Sequence, residues 1–159
     1  MKFDPFVEEN LFYKYNLKVS EDEVKQLSIV KNDRYAKDNN FTTYFTLNIL
    51  NFPMLKNLKT KIETILKEHE LILSNSWVQS YKEDNYHKTH IHDGAKKSGI
   101  LYLTNSKTPT IFYNRVFKEY YHYPEKNTLL LFPGFVPHEV RPVKEKEERL
   151  IVSFNAIYE

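Results

Sequence analysis

Cysteine is absent from this sequence of 159 residues. Its absence excludes disulfide bonds, zinc–thiolate sites, iron–sulfur clusters and thiol nucleophiles. A metal ion would therefore have to be held by His, Asp or Glu side chains. An excess of one charge is also absent, because 23 basic and 21 acidic residues leave a formal net charge of +2. That charge is too small to argue for nucleic acid as a partner.

Glycine and long apolar runs are scarce as well. The three glycines of the sequence leave no glycine-rich phosphate-binding loop and no Gly-x-Ser-x-Gly elbow of the serine hydrolases. The first ten residues lack the apolar core of a signal peptide, and no run reaches the length of a membrane span. We therefore expect a cytoplasmic protein of about one domain, with no membrane or nucleic-acid partner.

Aromatic residues, in contrast, are abundant at 15% of the sequence, which favours pleated sheets. The first half nevertheless predicts two helices. The capping-box sequence from Ser20 to Glu23 begins one of them. Pro53 opens the other, whose apolar residues recur at helical spacing as far as His69. Between the two, the β-branched and aromatic residues of 41–50 predict a strand.

The second half predicts many short strands. Apolar segments separated by turn residues lie at 75–81, 98–104, 110–113, 128–132 and 149–156. The stretch 114–126 is predicted to be a loop that either shapes specificity or lies on the surface. The whole predicts one α+β domain over 1–159 that is mainly β, with helical support over about 1–74 and a barrel core over about 75–157.

Four of the six histidines lie in two short stretches of the second half, 86–94 and 132–140. His90 and His92 are two residues apart, so on an extended segment their side chains point to the same face. Neutral imidazole is a common ligand of iron, zinc and copper. His138, between two prolines, is a suitable third ligand. Taken alone, however, a His-x-His pair is more often a surface or structural feature.

The last apolar segment carries an arginine. On a strand, Arg149 shares one face with Ile151 and Ser153, and the residues between them are apolar, so the strand is expected to be buried. A buried arginine needs an anionic partner, and its planar fork suits a carboxylate. A structural salt bridge to Glu147 or Glu148 is the alternative.

Several segments, taken in this order, resemble the Fe(II)/2-oxoglutarate dioxygenase superfamily, and more closely the 2-oxoglutarate/Fe(II) oxygenases of bacteria and their phages. The likeness is carried by SWVQ at 76–79, NYHKTHIH at 85–92, SGILYL at 98–103, LLLFP at 129–133, PHEVRP at 137–142 and RLIVSFN at 149–155. It covers most of 75–156, and the helical half matches more loosely. The fold that this resemblance implies is a double-stranded β-helix, or jelly-roll barrel.

The resemblance also assigns roles to individual residues. His90, His92 and His138 match the ligands of Fe(II). The second of these positions is usually Asp or Glu in the superfamily, so the neighbouring Asp93 is the alternative to His92. Arg149, eleven residues after His138, matches the basic residue that binds the distal carboxylate of 2-oxoglutarate.

Three further residues receive roles from the same resemblance. Tyr102 is placed where a co-substrate tyrosine occurs in prolyl-hydroxylase-like members, Ser153 is a second candidate for the co-substrate carboxylate, and His87 is expected beside the metal or facing substrate. The implied activity is hydroxylation of an unactivated C–H bond with dioxygen, with release of succinate and CO2. A cupin-like metal-binding barrel and a barrel that only binds a partner are the alternatives. The sequence indicates neither the substrate nor the oligomeric state.

Overall fold

The computed structural model describes residues 12–30, 36–37, 40–44, 48–114 and 118–159. Two α-helices lie in these ranges, α1 (Glu21–Val30) and α2 (Lys56–Lys67). The strands are β1 (Tyr13–Asn16), β2 (Ala36–Lys37), β3 (Asn40–Thr42), β4 (Leu71–Tyr81), β5 (His87–His90), β6 (Lys97–Tyr102), β7 (Thr110–Tyr113), β8 (Glu119–His122), β9 (Thr128–Pro133), β10 (His138–Val140) and β11 (Arg149–Tyr158).

The strands form two antiparallel sheets. The large sheet has the order β1-β9-β6-β11-β4-β3-β2, and the small sheet has the order β5-β10-β7-β8. From β4 onward the chain changes sheet at every step except between β7 and β8. The two sheets therefore face each other, and residues from both fill the space between them.

The large sheet separates two apolar cores, because side chains alternate between the faces of a strand. On its helix side, Leu58, Ile62 and Leu66 of α2 pack with residues such as Val78, Leu101, Leu129 and Val152. Between the sheets, Ile100, Phe112, Phe132, Val140 and Ile151 pack together. The alternation that the sequence predicts for 149–154 is confirmed, since Leu150 and Phe154 lie on the helix side and Ile151 lies between the sheets.

Both predicted helices are present. The capping box holds the start of α1, where the Ser20 backbone N–H donates to Glu23 Oε2 (2.9 Å) and the Glu23 N–H donates to Ser20 Oγ (3.2 Å). The second helix begins with a 3₁₀ turn at Pro53–Leu55, and its α-helical part ends at Lys67. Its apolar stripe is buried against the large sheet, as the spacing predicts.

The strand predicted over 41–50 is wrong at its C-terminal end. Strand β3 ends at Thr42, residues 45–47 lie outside the described ranges, and Ile49–Asn51 form a 3₁₀ turn. The side chain of Ser76 on β4 explains the turn. Its Oγ accepts the Leu50 backbone N–H (3.0 Å) and lies against the Asn48 amide, so a side chain replaces the ladder partner that a strand would need.

The loop predicted over 114–126 is also wrong in part, because it contains β8. Residues 115–117 lie outside the described ranges, and from Glu119 the chain pairs with β7, with Thr110 opposite His122. Tyr120, Tyr121 and His122 of this stretch are thus on a sheet. The N-terminal region is likewise not only helical, since β1 pairs with β9 at one side of the large sheet.

Neither described helix combines the length and the apolar character needed to cross a membrane. The cytoplasmic location and the single-domain organisation stay predictions from the sequence.

Candidate metal centre

Three imidazoles converge between the sheets. One ring nitrogen from each of His90, His92 and His138 lies within 4.8 Å of the others. Asp93 is exposed and is not part of this group, so the geometry brings in His92 rather than its acidic neighbour. Within the described ranges, this is the one group of three or more His, Asp or Glu residues with metal-binding spacing.

The strands of the small sheet bring two of the histidines together. His90 ends β5 and His138 begins β10, and the two are directly opposite in the antiparallel ladder. The expectation that His92 lies on the same strand as His90 is wrong, because β5 ends at His90. The chain turns after His92 through Gly94, which has a φ of +81°, a conformation that favours glycine.

A backbone contact positions His92 instead. Its N–H donates to the carbonyl oxygen of Gly134 at 2.8 Å. A Cβ on Gly134 would lie 2.4 Å from the Ala95 carbonyl oxygen and 2.8 Å from that of His92. The loop after β5 can therefore approach the loop after β9 only because residue 134 has no side chain.

The hydrogen bonds of two histidines fix which ring nitrogen is available. His90 Nδ1 is 2.8 Å from the Lys88 carbonyl oxygen, and His138 Nδ1 is 2.9 Å from that of Val136. A carbonyl oxygen can only accept, so each Nδ1 carries the proton and each Nε2 presents its lone pair. His138 Nε2 is 3.2 Å from His92 Nε2. The available nitrogens thus lie close together, and the backbone holds the tautomers of His90 and His138 as in metal-binding histidines.

Burial keeps these imidazoles neutral. It lowers the pKa of His90, and it lowers the pKa of His92 to about 3 with a further contribution from His90. Burial and the neighbouring His90 and His92 also hold the pKa of His138 well below its ordinary value. Neutral imidazole is the form that binds a metal ion, so the cluster does not need to lose protons at neutral pH.

Arg149 begins β11 and is only 1% exposed. Its Nη2 donates to Thr110 Oγ1 at 2.7 Å, whereas Nε and Nη1 have no hydrogen-bond partner in the described part of the chain. The guanidinium carbon lies 4.9 Å from the centre of the Tyr81 ring and 5.7 Å from that of Tyr102. Arg149 has no ion pair within the described ranges, so the structural salt bridge that we considered does not form.

The histidines and the arginine line one cavity between the sheets. Its wall also includes Gln79, Tyr81, Thr110, Val140, Ile151 and Ser153. Its free volume is about 20 Å³, which corresponds to roughly one water molecule. A larger ligand can therefore enter only if side chains of the wall rotate.

The remaining predicted residues take different places around this cavity. Ser153 lines it, and so does His87, whose ring stacks on that of His90. Tyr102 is completely buried and lies behind Thr110, with its hydroxyl 2.8 Å from Thr110 Oγ1. A contact of Tyr102 with a co-substrate stays a prediction. In this structure Tyr102 does not line the cavity itself but hydrogen-bonds to Thr110, which does.

Three polar wall residues received no role from the sequence. Gln79 and Tyr81 lie on β4, and their spacing of two from each other was the signal that could have placed them on one face. Thr110 had no such signal, because its partners Arg149 and Tyr102 come from other strands. Its position depends on tertiary structure alone.

A scan of protein-family models found no match, and a search of curated protein sequences found none either. Solved structures do match. One is an oxidoreductase of the 2OG-Fe(II) oxygenase family from Burkholderia pseudomallei, with a TM-score of 0.71 and 11% identity over 94% of this chain and 85% of that one. A second is the viral collagen prolyl hydroxylase of Paramecium bursaria Chlorella virus-1 in complex with 2-oxoglutarate, with a TM-score of 0.66 and 16% identity over 96% and 98%.

A third match is HygX from Streptomyces hygroscopicus with nickel and 2-oxoglutarate bound, with a TM-score of 0.71 and 11% identity over 96% of this chain and 85% of that one. Each alignment covers nearly the whole of this chain, so both sheets and the helix layer have counterparts. Identities this low show the fold alone. The resemblance that the sequence motifs suggested is confirmed at that level, and the chain has the fold of the 2OG-Fe(II) oxygenases.

Proposed function

We propose that this protein is an Fe(II)- and 2-oxoglutarate-dependent oxygenase. His90, His92 and His138 hold the iron, and Arg149 pairs with the distal carboxylate of 2-oxoglutarate. One observation carries the proposal: a buried guanidinium with two unpartnered nitrogens lines the same cavity as the three imidazoles. A buried cation without an anion is strongly unfavourable, so this site is built for an anionic ligand that also reaches the metal position.

The donor set fits this chemistry. Three imidazoles on one side of an ion leave positions open, which suits octahedral Fe(II) better than a closed structural site. A dicarboxylate with a keto acid at one end can bind the metal there and place its other carboxylate at Arg149. Bound iron would use dioxygen to decarboxylate 2-oxoglutarate, with one oxygen atom entering succinate and the other entering a C–H bond of the substrate, as CO2 is released.

The residues of this chain would orient and enclose these groups. The carbonyl oxygens of Lys88 and Val136 hold the tautomers of His90 and His138. Thr110 aligns the guanidinium of Arg149 through Nη2, which leaves the N–H groups of Nε and Nη1 available to donate to a carboxylate. Ser153, on the same face of β11, is the second candidate to donate to that carboxylate.

Strand order supports the jelly-roll form of the fold. The eight strands β4 to β11 divide equally between the sheets, as β9-β6-β11-β4 in one and β5-β10-β7-β8 in the other. This is the arrangement that two interleaved sets of antiparallel hairpins produce when they are rolled into a barrel. We therefore propose a single double-stranded β-helix domain, with α1, α2 and β1 to β3 as its supporting elements.

The test is an anaerobic titration of metal-free protein with Fe(II) and then 2-oxoglutarate, followed by the visible charge-transfer band of the chelate. We expect the band in the wild type and its loss in His138→Ala. The Arg149→Ala variant should need at least about tenfold more 2-oxoglutarate for the same band, since charge-assisted hydrogen bonds to its carboxylate are removed. Arg141→Ala is the matched control, because this exposed arginine pairs with Glu119 and Glu139 away from the cavity.

The same titration separates the alternatives. Metal binding without any response to 2-oxoglutarate would contradict the proposal and favour a cupin-like metal barrel. Failure to bind metal at all would leave a barrel that only binds a partner. If the band appears, release of succinate with candidate substrates is the next measurement.

A further inference from the structure

A fourth imidazole lies against the metal cluster. The ring of His87 stacks on that of His90, with ring centres 3.9 Å apart and planes inclined by 22°. His87 lines the cavity and is partly exposed, but it is not one of the three converging histidines. It therefore lies beside the metal position without being one of the three proposed ligands.

A chain of hydrogen bonds sets the tautomer of His87. The Trp77 indole can only donate, and its Nε1 lies 3.3 Å from Gln79 Oε1, which turns the Gln79 amide nitrogen toward His87. That nitrogen is 3.2 Å from His87 Nδ1, and the Tyr81 hydroxyl is 3.4 Å from the same atom. Nδ1 is thus the acceptor, and the proton of the neutral ring is on Nε2. Within the described ranges, Nε2 has no hydrogen-bond partner.

The charges around the cavity indicate which kind of group would accept a hydrogen bond from His87 Nε2–H. The described residues that line it include no Asp or Glu, and they include one permanent cation, Arg149. Three neutral imidazoles would leave the charge of a divalent ion uncompensated, whereas the usual set of the superfamily contains a carboxylate. After 2-oxoglutarate brings two negative charges to the divalent ion and Arg149, one positive charge remains uncompensated in the cavity that His87 lines. Such a charge inside a protein requires an anion.

We propose that the substrate presents a carboxylate to the metal side of the cavity, where His87 Nε2–H donates a hydrogen bond to it. The inference rests on the proposed function and adds the substrate class to it. His87 is then a substrate-binding residue, and Gln79 and Trp77 act through it by holding its tautomer.

The experiment uses acetate as the carboxylate probe and acetamide as its neutral isostere. Protein loaded with Co(II), which is stable in air and has visible bands that report its ligands, is saturated with 2-oxoglutarate and then titrated with each probe. We expect acetate to change the Co(II) bands and acetamide at the same concentration to leave them unchanged. His87→Phe keeps a flat ring over His90 but has no N–H, so acetate should bind at least about tenfold more weakly.

Two further variants make the result specific. His87→Gln keeps an N–H donor and should recover part of the acetate affinity. His69→Phe makes the same chemical change at a histidine that contacts Tyr13 and Tyr15 instead of the cavity, and should bind acetate like the wild type.

The outcomes separate this inference from the proposed function. If 2-oxoglutarate itself fails to change the Co(II) bands, the proposed function is contradicted first. If 2-oxoglutarate binds but acetate and acetamide behave alike, the carboxylate inference alone is overturned. Equal acetate affinity in the wild type and His87→Phe also overturns it, because the donor would then be a different group.

Discussion

The two faces of the large sheet are made by the same strands and both carry apolar residues, but only one of them lines a cavity. On the helix side, the buried side chains of β4, β6, β9 and β11 pack with α2 into an apolar core that includes Leu101, Leu129, Leu150 and Val152. On the other face, the same strands contribute Gln79, Tyr81, Arg149 and Ser153 to a narrow cavity. A period of two residues is therefore enough to place a stabilising surface and a binding surface on one strand.

The two faces differ in whether their buried groups have favourable interactions in the protein alone. The helix side contains completely buried aliphatic residues, which stabilise the fold by leaving water. The cavity side also contains neutral histidines and an arginine with two unpartnered nitrogens, and burial of that arginine is unfavourable without an anionic ligand. Variants on the two faces should thus affect different measurements.

The largest effect is expected on the helix side. Leu101→Ala removes a completely buried side chain next to Leu129 and Leu150 and should lower the free energy of unfolding by about 2–5 kcal/mol. Metal affinity of the folded variant should stay unchanged, because the other face is not altered. Denaturant unfolding and metal titration check the two statements, with the exposed Ile72→Ala as control. A loss of metal affinity as large as the loss of stability would contradict the separation of the faces.

The Gly134→Val variant should mainly lower the metal affinity. A Cβ at this position meets the backbone oxygens of His92 and Ala95, so the loop that carries His92 must move. We expect the affinity for Co(II) to fall about 10–100-fold, as when a group that orients a metal ligand is lost.

The matched control for this variant is Gly94→Ala, in the same loop. A Cβ there has nothing within 4 Å, but the φ of +81° is unfavourable for alanine. It should cost about 1 kcal/mol of stability and leave metal affinity nearly unchanged. Equal effects of the two substitutions on Co(II) binding would show that general loop strain, rather than the position of His92, controls the site.

The Arg149→Met variant tests whether the arginine on the cavity side contributes to stability. Although Arg149 is among the most deeply buried side chains, its replacement by an apolar residue of similar length should leave the metal-free protein as stable or raise its free energy of unfolding by about 1 kcal/mol. The reason is that a single hydrogen bond, from Nη2 to Thr110, offsets only part of the unfavourable burial of the guanidinium. Thermal unfolding of metal-free protein is the measurement, and a clear destabilisation would mean that Arg149 has a structural role.

The smallest effect is expected away from both faces, at Glu145. Burial raises its pKa, but hydrogen bonds from Ser106 and Thr108 outweigh this and lower the pKa from 4.5 to about 2. The folded carboxylate therefore stabilises the protein above pH 4.5, and this contribution is lost as the pH falls toward 2. Glu145→Gln should be less stable than the wild type at pH 7, with the difference shrinking over that acidic window. Urea unfolding at several pH values tests this, with the exposed Glu147→Gln as control.

The sequence allowed much of the fold to be predicted, for identifiable reasons. Each of the five strands predicted in the second half is present, because buried strands there are continuous apolar runs between turn residues. Strands β8 and β10 were missed, and β5 was expected only from the spacing of His90 and His92, because the strand form of these segments depends on pairing within the small sheet. The end of the strand over 41–50 was wrong because the decisive partner, Ser76, is distant in sequence.

The site was predictable in its residue types and less so in its geometry. The sequence by itself restricted a metal site to His, Asp and Glu ligands, since cysteine is absent, and it determined which residues of β11 share a face, since alternation is a local property of any strand. Only the tertiary structure decided that His92 is held by Gly134 and that Arg149 meets Thr110 and lacks an anion. Those contacts join residues far apart in the chain, and their distances are set by how the two sheets pack rather than by any local preference.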